Sequence, residues 1–328
     1  MKYSIITPVY NREDCVSRCI ESVIQQVKKC KTVGGGVNIE HVIVNDGSKD
    51  LTDEICQGYA RCNNHIKYIS FAENKGTNAA RNAAIMTATG DYCIILDSDD
   101  YFDDNALLTI NQTVISHSEY KHFMFAPDDV DYNKSPLAGC KEKELTYVDF
   151  LSGKIATGFI HCINADIMKR HPFDESVRIY EGVFFLSFYK EAQRMLFTNK
   201  VVTIRERGRS DSVTLDFVRT KRVVIERGIK ANEILLSRFG DDMKQNDCAK
   251  MLSSVYISLY DNYLLLGQYM RIANLKKMYI EKYSNYIYAS RKLKILETLT
   301  HLRLGGLYRC LLQFYLAMRY RVFKVKIR

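Results

Sequence analysis

Three aspartates crowd the end of one apolar stretch. Asp97, Asp99 and Asp100 follow the residues YCIIL, which predict a buried strand. Like charges this close cost free energy unless a positive group lies between them. The pattern fits a solvated acidic turn, a calcium loop, or a divalent cation held by one or two carboxylates together with substrate phosphates.

Two positions exclude the calcium loop. A loop of the helix-loop-helix type that begins at Asp97 needs glycine at its sixth position and a bidentate glutamate at its twelfth. The chain has Phe102 and Leu108 there. The acidic turn and the phosphate-assisted cation site both stay open, because an Asp-x-Asp pair alone does not decide between them.

The elements that position this stretch alternate between strand and helix. Apolar runs predict four strands, at Lys2–Val9, Ile39–Val44, Ile66–Phe71 and Tyr92–Leu96. Helices are predicted between them, at Asp14–Gln26, near Thr52–Arg61 and at Thr77–Thr89. Such alternation predicts an α/β fold with a doubly wound, mostly parallel sheet and helices on both faces, in which ligands bind beyond the carboxyl ends of the strands. The segments TPVYN, NDGSKD, AENKG and DSDD are therefore expected along one rim.

The pattern loosens after residue 105. Asn105–Ser118 indicates a helix, Phe123–Tyr132 an edge strand, and residues 141–216 a mixture of strands with a helix around Glu181. Beyond Thr220 there is no proline, and stretches such as Ile225–Phe239 and Met251–Tyr269 predict amphipathic helices. We expect an α/β domain over residues 1–217, with halves at 1–105 and 106–217, and a helical region over 218–328.

Composition limits the class of protein. The chain has 328 residues, and an apolar content of 47% is enough for a real core. It lacks the run of roughly eighteen apolar residues that a spanning helix needs. The start, MKYSIITPVYNRED, reaches charges too early for a signal peptide, so we expect a cytosolic protein. Ten cysteines without a CxxC pair favour reduced, packed thiols over zinc ligands or disulfides.

The positive charge is concentrated at the end of the chain. Residues 291–328 hold ten lysines and arginines against one acid, Glu297, an excess equal to the whole formal net charge of +9. Leu307, Leu311, Phe314 and Tyr315 can share a helical face, flanked by Arg303, Arg309, Arg319 and Arg321. This composition is typical of an interfacial helix on an anionic membrane surface, although a core-packed terminal helix stays open. No nucleic-acid-binding motif accompanies the charge, so no nucleic acid partner is expected.

The four strand-end segments also carry a resemblance. In order they are S-I-I-T-P-V-Y-N, V-N-D-G-S-x-D, E-N-x-G-x-x-x-A-R-N and D-x-D. Together they resemble family 2 of the inverting nucleotide-sugar glycosyltransferases, which have the GT-A type fold and include bacterial lipopolysaccharide, capsule and O-antigen enzymes. The resemblance is strong over residues 1–105, weak over 105–215 and nearly absent in the tail.

The resemblance implies a UDP-sugar donor site on these segments. Thr7, Pro8 and Tyr10 would line the nucleoside pocket, with Tyr10 against the uracil face. Asp46 would accept a hydrogen bond from the uracil N3–H, which favours UDP over cytosine or purine donors. Asn45 stands where the commoner DDGS form of the family has its first aspartate.

The same resemblance assigns the phosphate and metal contacts. Gly76, in the segment with Asn74, would let the backbone approach the nucleotide, and Arg81 would touch phosphate or donor sugar. Packing roles stay open for Tyr10 and Arg81. Asp97, beside Ser98, would contact ribose or sugar, and Asp99 with Asp97 would ligate Mg²⁺ or Mn²⁺. That ion, with the phosphates, is the positive partner that the crowded aspartates require.

A catalytic base is expected about eighty residues after D-x-D. The family usually supplies it from an E-D-x-x-F segment, and the corresponding stretch here is FDESVRIYEGVFF. If Phe184 holds the aromatic position, Glu181 is the base; if Phe185 does, the position falls on Gly182 and the base is missing. We favour Glu181, with Asp174 and Glu175 as outside candidates, and a helix-start acid as the plain alternative.

Two further features have weaker support. The segment RERGRSDSVT resembles the family's R-x-x-S segment, in which Arg207 or Arg209 would close over the donor diphosphate, although a flexible basic loop fits equally. For His161, in the weakly matched acceptor region, a structural role is favoured.

We therefore expect an inverting glycosyltransferase that moves a sugar from a UDP-sugar to a glycan or lipid-linked glycan at the cytoplasmic face of the inner membrane. A sugar nucleotidyltransferase would need a glycine-rich triphosphate loop after the first strand, and TPVYNRED has none. The GGG at 34–36 precedes a strand, which excludes a Rossmann dinucleotide loop. A catalytically inactive UDP-sugar-binding or scaffold protein stays open because the base position is ambiguous.

Overall fold

A computed structural model describes residues 1–34, 36–132, 135–155, 158–177, 180, 182–206, 221–283 and 290–323, with the backbone alone for residues 317 and 319–323. The chain divides into two compact units, one of residues 1–150 with 154–208 and one of residues 151–153 with 209–328. The predicted boundary between 217 and 218 falls outside the described residues and stays a prediction.

The first unit begins with parallel strands that alternate with helices. The elements are β1 (Lys2–Val9), α1 (Val16–Val33), β2 (Asn38–Asn45), α2 (Thr52–Cys62), β3 (Ile66–Ser70), α3 (Thr77–Thr87) and β4 (Tyr92–Ile95). The strands lie in the order β3-β2-β1-β4, and each neighbouring pair is parallel. All four carboxyl ends therefore meet at one edge, and all seven predicted elements are confirmed.

The sheet continues as a mixed sheet. The remaining elements of this unit are β5 (Tyr101–Phe102), α4 (Ala106–Ser116), β6 (His122–Pro127), β7 (Glu142–Thr146), α5 (Tyr147–Leu151), β8 (Ile160–Asn164), α6 (Ala165–Arg170), α7 (Gly182–Ala192) and β9 (Arg194–Ile204). From β4 the order runs β8-β6-β9-β5, with β7 paired to β9. β8 is antiparallel to β4 and β6, whereas β6 and β9 are parallel. Within the described residues, nine strands thus form one sheet.

The prediction of an edge strand at Phe123–Tyr132 is wrong, because the strand that forms there is central in the sheet. The strand β6 ends at Pro127, lies between β8 and β9, and has all six residues buried. Its sequence, HFMFAP, lacks polar alternation, as is typical of strands covered on both faces. Its neighbours are set by the return of β8 beside β4, which no local pattern encodes.

Helices cover both faces of the parallel part. Val23 of α1 and Leu107 of α4 pack with Ile5 of β1 in one buried cluster. Successive strand residues point to opposite faces, so Ser4 points away from this cluster. The chain just after α3 lies on that opposite side, because Gly90 N donates to Ser4 Oγ at 2.9 Å.

A buried carboxylate fixes the same region to the sheet. Glu40 of β2 accepts from Ser4 Oγ and Thr89 N, both at 2.5 Å, and pairs with Lys2 Nζ and Lys67 Nζ, both at 2.9 Å. Burial alone would raise the pKa of Glu40, but these donors outweigh it and hold the pKa well below its usual range. The ionised carboxylate therefore ties β1, β2, β3 and the end of α3 together.

The second unit is helical, as predicted. Its helices are α8 (Arg222–Gln245), α9 (Ala249–Leu265), α10 (Tyr269–Tyr283), α11 (Arg291–His301) and α12 (Gly305–Phe323). The helix α9 contacts each of the other four, and Tyr256 and Tyr260 of α9 are buried with Tyr279 of α10. Among the described helices of the chain, none has the length and apolar character needed to cross a bilayer.

Candidate active site

The four strand-end segments meet at one rim, as the sequence predicted. Backbone hydrogen bonds continue just past the strand ends, from Asp46 N to Val9 O (2.8 Å), from Phe71 N to Asn45 O (2.8 Å) and from Leu96 N to Ile6 O (3.0 Å). The loops after β1, β2, β3 and β4 therefore start side by side.

Asp46 joins two of these loops. Its Oδ1 accepts from Lys75 N at 2.7 Å and its Oδ2 from Gly76 N at 2.9 Å, and the residue is almost fully buried. An ionised carboxylate oxygen can accept more than one hydrogen bond. The predicted bond from uracil N3–H to Asp46 stays a prediction.

Two glycines shape the same loops for different reasons. Gly47 has a φ of 69°, and a Cβ there would lie 2.5 Å from the backbone C of Glu73, so both conformation and space require glycine. Gly76, directly before α3, has a φ of 99°, but a Cβ there would meet no described atom within 4 Å. The backbone at Gly76 therefore faces open space, next to the exposed Asn74.

Arg81 projects from the first turns of α3 to the D-x-D segment. Its Nη2 lies 3.1 Å from Asp97 Oδ1, and its guanidinium carbon lies 5.8 Å from the ring centroid of Phe173. The arginine side chain is 12% exposed whereas that of Asp97 is 49% exposed, so the pair sits at the surface of the rim. Packing and a polar contact are thus combined in Arg81.

Asp100 is more buried than Asp97. Asp100 is only 14% exposed, accepts from Glu206 N at 3.2 Å, and lies 3.9 Å from Arg205 Nε. Burial raises the pKa of Asp100 to about 8, and the charges of Asp97 and Asp99 add to the rise. The D-x-D pattern includes only Asp97 and Asp99, and the structure places Asp100 beside them in the carboxylate cluster.

The donor set here fits a hard divalent cation that is only partly held by protein. In the described residues, no three His, Cys, Asp or Glu side chains converge into a complete metal cage. Asp97, Asp99 and Asp100 nevertheless bring three carboxylates into four consecutive residues, where a cation would offset their like charges. Mg²⁺ and Mn²⁺ prefer carboxylate oxygens, and Mg²⁺ is usually bound by one or two of them plus substrate phosphates.

The helix α1 supports the backbone of D-x-D from behind. Cys15 Sγ donates to the carbonyl of the buried Ser98, and Cys19 Sγ to the carbonyl of Asp97, both at 3.7 Å. Arg18 Nη2 donates to Asp99 O at 3.3 Å. These contacts fix the segment's backbone, and Cys15 and Cys19 are packed thiols, as the cysteine pattern indicated.

The predicted nucleoside residues differ in their surroundings. Tyr10 is 38% exposed at the rim, so its ring is accessible from solvent. Pro8 is buried, and the fully buried Thr7 has its Oγ1 2.9 Å from His41 Nε2. A nucleoside contact by Thr7 or Pro8 stays a prediction, and the Thr7 side chain is engaged inside the sheet.

Asn45 has a specific reason to be an amide in this chain. Its Nδ2 donates to Asp53 Oδ1 at 2.8 Å, and its Oδ1 accepts from Ser48 N at 3.1 Å. Asp53 also accepts from Tyr68 OH at 2.5 Å and Ser70 Oγ at 2.7 Å, and these bonds lower the pKa of Asp53. An aspartate at position 45 would face this ionised carboxylate directly.

A clamp on α3 was not found from the sequence. Asn78 Nδ2 donates to Asp174 O at 2.9 Å and to Val177 O at 2.8 Å. Asn82 Nδ2 donates to Phe173 O at 2.8 Å, and Phe173 N donates back to Asn82 Oδ1 at 2.9 Å. We name Asn78 and Asn82 the asparagine clamp. Two amides four residues apart on an alanine-rich helix were the available signal.

The clamp holds the chain that leads to the predicted base. Glu181 itself lies outside the described residues, and the alternative Gly182 is the first residue of α7. The outside candidates are engaged locally, since Asp174 accepts from Ser176 N at 2.9 Å and Glu175 Oε1 accepts from Asn82 Nδ2 at 3.1 Å.

The basic segment with Arg207 and Arg209 and the residue His161 were the other two features noted in the sequence. Arg207 and Arg209 also lie outside the described residues. His161 is buried, with its Nδ1 3.0 Å from His122 Nε2, and burial lowers the pKa of His161 to about 3. These contacts place His161 in the interior of the sheet, and its structural role stays a prediction.

The fold matches those of solved glycosyltransferase structures and is of the GT-A type. S. aureus TarS 1-349 aligns with a TM-score of 0.64 at 16% identity, over 96% of this chain and 91% of that one. TarS 1-349 in complex with UDP-GlcNAc gives 0.54 at 18% identity, over 88% and 93% of the two chains. The mannosyltransferase PcManGT from Pyrobaculum calidifontis, in complex with GDP-Man and Mn²⁺, gives 0.54 at 15% identity, over 98% and 88%.

The family follows from the sequence comparison. The model of Glycosyl transferase family 2 matches residues 4–167, half of the chain, and the chain belongs to this family. It is 36% identical over 116 residues to glycosyltransferase GlyA of Streptococcus pneumoniae serotype 4, covering 35% of this chain and 15% of that protein. It is 31% identical over 199 residues to the minor teichoic acid biosynthesis protein GgaA of Bacillus subtilis, covering 56% and 42%.

A third relative is covered over most of its length. The GalNAc(5)-diNAcBac-PP-undecaprenol beta-1,3-glucosyltransferase of Campylobacter jejuni is 25% identical over 273 residues, which is 80% of this chain and 84% of that protein. The chain spans less than half the length of GlyA and of GgaA. Two of these relatives are named as glycosyltransferases and the third for minor teichoic acid biosynthesis.

Proposed function

We propose that this chain transfers a sugar from a UDP-sugar to a hydroxyl of a glycan or glycolipid acceptor in the synthesis of a bacterial surface polysaccharide or lipopolysaccharide. One observation carries the proposal: the Arg81–Asp97 pair, 3.1 Å apart, lies at the same strand rim as the Gly76 backbone held by Asp46. A cationic group, carboxylates and open glycine backbone at the carboxyl ends of parallel strands are what a nucleotide-diphosphate ligand requires.

The nucleoside is assigned to the loops after β1 and β2. Tyr10 is accessible to stack on the base, and Asp46 accepts the uracil N3–H with an oxygen that already holds a backbone N–H. The solved GT-A structures include complexes with UDP-GlcNAc and with GDP-Man. The choice of UDP therefore rests on Asp46 and not on the fold.

The diphosphate is assigned to Arg81 and the aspartate cluster. Asp99, with Asp97, would hold Mg²⁺ or Mn²⁺, whose charge would compensate the diphosphate as it leaves. Arg81 then binds a phosphate oxygen or the donor sugar from the opposite element, α3. Asp100, beneath them, stays part of the carboxylate cluster.

The transfer is a single displacement with inversion. Glu181 takes the proton of the acceptor hydroxyl. The oxygen of that hydroxyl bonds to the anomeric carbon as the bond from this carbon to the diphosphate breaks. Asp174 and Glu175 are less suited because a local turn and Asn82 already engage them.

The names of two relatives and the basic tail support a proposal for the acceptor and the location. GgaA is named for minor teichoic acid biosynthesis and the Campylobacter relative for a PP-undecaprenol-linked glycan. We assign this chain a glycan or lipid-linked glycan acceptor and a peripheral place on the cytoplasmic face of the inner membrane, in keeping with its basic tail.

Two measurements test the function. Thermal shift with UDP, UDP-GlcNAc, UDP-glucose and GDP-mannose, with and without Mn²⁺, should show stabilisation by the UDP compounds that Mn²⁺ increases. Asp99→Asn should lose the Mn²⁺-dependent part, whereas Asp104→Asn, at a side chain 78% exposed, serves as the matched control. If UDP does not stabilise the protein either with or without Mn²⁺, the donor assignment is contradicted.

Turnover separates an enzyme from an inactive binder. UDP release from the donor that stabilises most strongly should be detected for wild type and fall by at least about a hundredfold in Glu181→Gln, because general-base catalysis contributes about that much or more. Binding of UDP without release in wild type supports the inactive scaffold. If UDP release is equally fast in Glu181→Gln and in wild type, another residue is the base.

A further inference from the structure

The helix α12 exposes a continuous apolar stripe. Leu307, Leu311, Phe314 and Met318 recur at helical spacing and are 52%, 59%, 66% and 50% exposed, and Tyr315 beside them is 56% exposed. These five residues are the apolar stripe. Isolated exposed apolar side chains are ordinary, but five on one side of one helix mark a contact surface.

The flank of α12 beside the stripe is packed, which fixes the direction of the stripe. Tyr308 OH donates to Asp261 Oδ1 of α9 at 3.0 Å, and Leu312 and Leu316 are half-buried. At the start of the helix a Cβ on Gly305 would lie 2.4 Å from a carbonyl of α9, so α12 contacts its neighbour closely there. The stripe cannot turn inward without breaking these contacts.

The charge around the stripe has one sign. After Glu297 the sequence contains no acidic residue, while it contains Arg303, Arg309 and five further lysines and arginines up to Arg328. Glu297 itself is paired with Lys276 Nζ at 3.0 Å. The stripe therefore lies in a part of the chain whose charged residues, by sequence, are all basic after Glu297.

This combination selects among occupants. A second copy of the chain would bring two cationic helices together, which like-charge repulsion disfavours. Nucleic acid would match the charge but would leave Leu, Phe and Met without a use. An anionic lipid surface matches both, because apolar side chains enter the acyl boundary while basic residues contact the headgroups.

We propose that α12 binds an anionic lipid membrane through the apolar stripe and lies in the plane of the interface. This deepens the proposed function, and rests on it in one respect: a lipid-linked acceptor is presented at such a surface. Binding is tested without donor or acceptor, so its failure is distinguishable from failure of the glycosyl transfer.

The experiment is vesicle flotation of the full chain with phosphatidylcholine alone and with phosphatidylcholine containing phosphatidylglycerol. Phe314→Asp introduces a charge in the stripe, and Gln313→Asp introduces the same charge at the adjacent exposed position outside it. Wild type should float with the anionic vesicles only. Phe314→Asp should weaken binding by at least about tenfold, through lost apolar burial and added repulsion, and Gln313→Asp by no more than about fivefold.

Circular dichroism and thermal unfolding should show that both variants remain folded, because positions 313 and 314 are both exposed. Equal flotation of the two variants, or equal flotation with neutral and anionic vesicles, overturns the proposal. So does a lipid-free dimer, seen by light scattering, that Phe314→Asp dissociates, because the occupant is then a second copy. High salt should reduce the anionic binding and not restore the Phe314→Asp variant.

Discussion

Replacing Asn45 with aspartate tests the hydrogen-bond network behind the donor-side loops. The commoner form of the motif carries aspartate at this position, but here Asn45 Nδ2 donates to Asp53 Oδ1 at 2.8 Å. The substitution removes that donor and sets a second carboxylate against Asp53. Because Asn45 is 1% exposed, water cannot screen its side of the pair.

The magnitude follows from Coulomb's law and the cost of a proton. Two charges 4 Å apart at an effective dielectric constant near 20 repel by about 4 kcal/mol, and taking up a proton instead costs about 4 kcal/mol at pH 7. Asp53 is partly exposed, so we halve the repulsion, and we add about 1 kcal/mol for the lost hydrogen bond. The expected loss is about 3 kcal/mol, or about 6 to 12 °C in Tm for a unit of this size.

Calorimetry of Asn45→Asp measures this loss of stability. Asn38→Asp is the control, because it makes the same chemical change at an exposed position of the same strand. The control should stay close to wild type. Adding Asp53→Asn to Asn45→Asp should recover part of the loss by restoring an amide–carboxylate pair. The gap to wild type should narrow toward pH 4, since the repelled pair then takes up a proton. A variant that melts with wild type, or a second substitution that recovers nothing, refutes the reasoning.

Three further predictions concern the same unit. Asn82→Ala should lower stability by about 2 kcal/mol. It should also reduce UDP release more than UDP-dependent thermal stabilisation, because the clamp positions the proposed base segment and not the donor; equal reductions contradict this. Gly47→Ala should cost about 2 to 4 kcal/mol in urea unfolding, through its left-handed φ and the backbone of Glu73, whereas Gly58→Ala in α2, where a Cβ meets nothing within 4 Å, should be neutral or stabilising. Glu40→Gln should lower the free energy of unfolding at pH 7, and this free energy should then fall less steeply in acid than it does in wild type. The pKa of Glu40 is held low, so its contribution is present above about pH 4.5 and disappears as the pH falls; an unchanged acid limb is evidence against it.

The parallel half could be predicted from the sequence because its determinants are local. Apolar strands, helix-spaced residues and polar strand ends alternate in order, and the βαβ rule then places TPVYN, NDGSKD, AENKG and DSDD at one edge. The resemblance to family 2 is confirmed by the family model over residues 4–167. Asp46, Gly76 and the Arg81–Asp97 pair accordingly meet where the sequence placed them.

The remaining features depend on contacts between distant parts of the chain. β6 is central because β8 returns beside β4, and the asparagine clamp joins residues about ninety positions apart. The raised pKa of Asp100 likewise requires burial beneath the rim, which a local acidic pattern does not show. The roles of Glu181 and Asp99 stay predictions that the assays above address.

The helix α3 connects groups that the proposed function assigns to different substrates. Its first residue follows the Gly76 backbone, Arg81 reaches Asp97, and Asn78 and Asn82 hold the segment before the proposed base. Any coupling free energy that α3 transmits must be reciprocal. A donor that tightens acceptor binding by a given factor is itself bound tighter by that factor once the acceptor is present. Measuring either affinity with and without the other ligand therefore yields the same number, and that number reports how rigidly α3 joins the two halves.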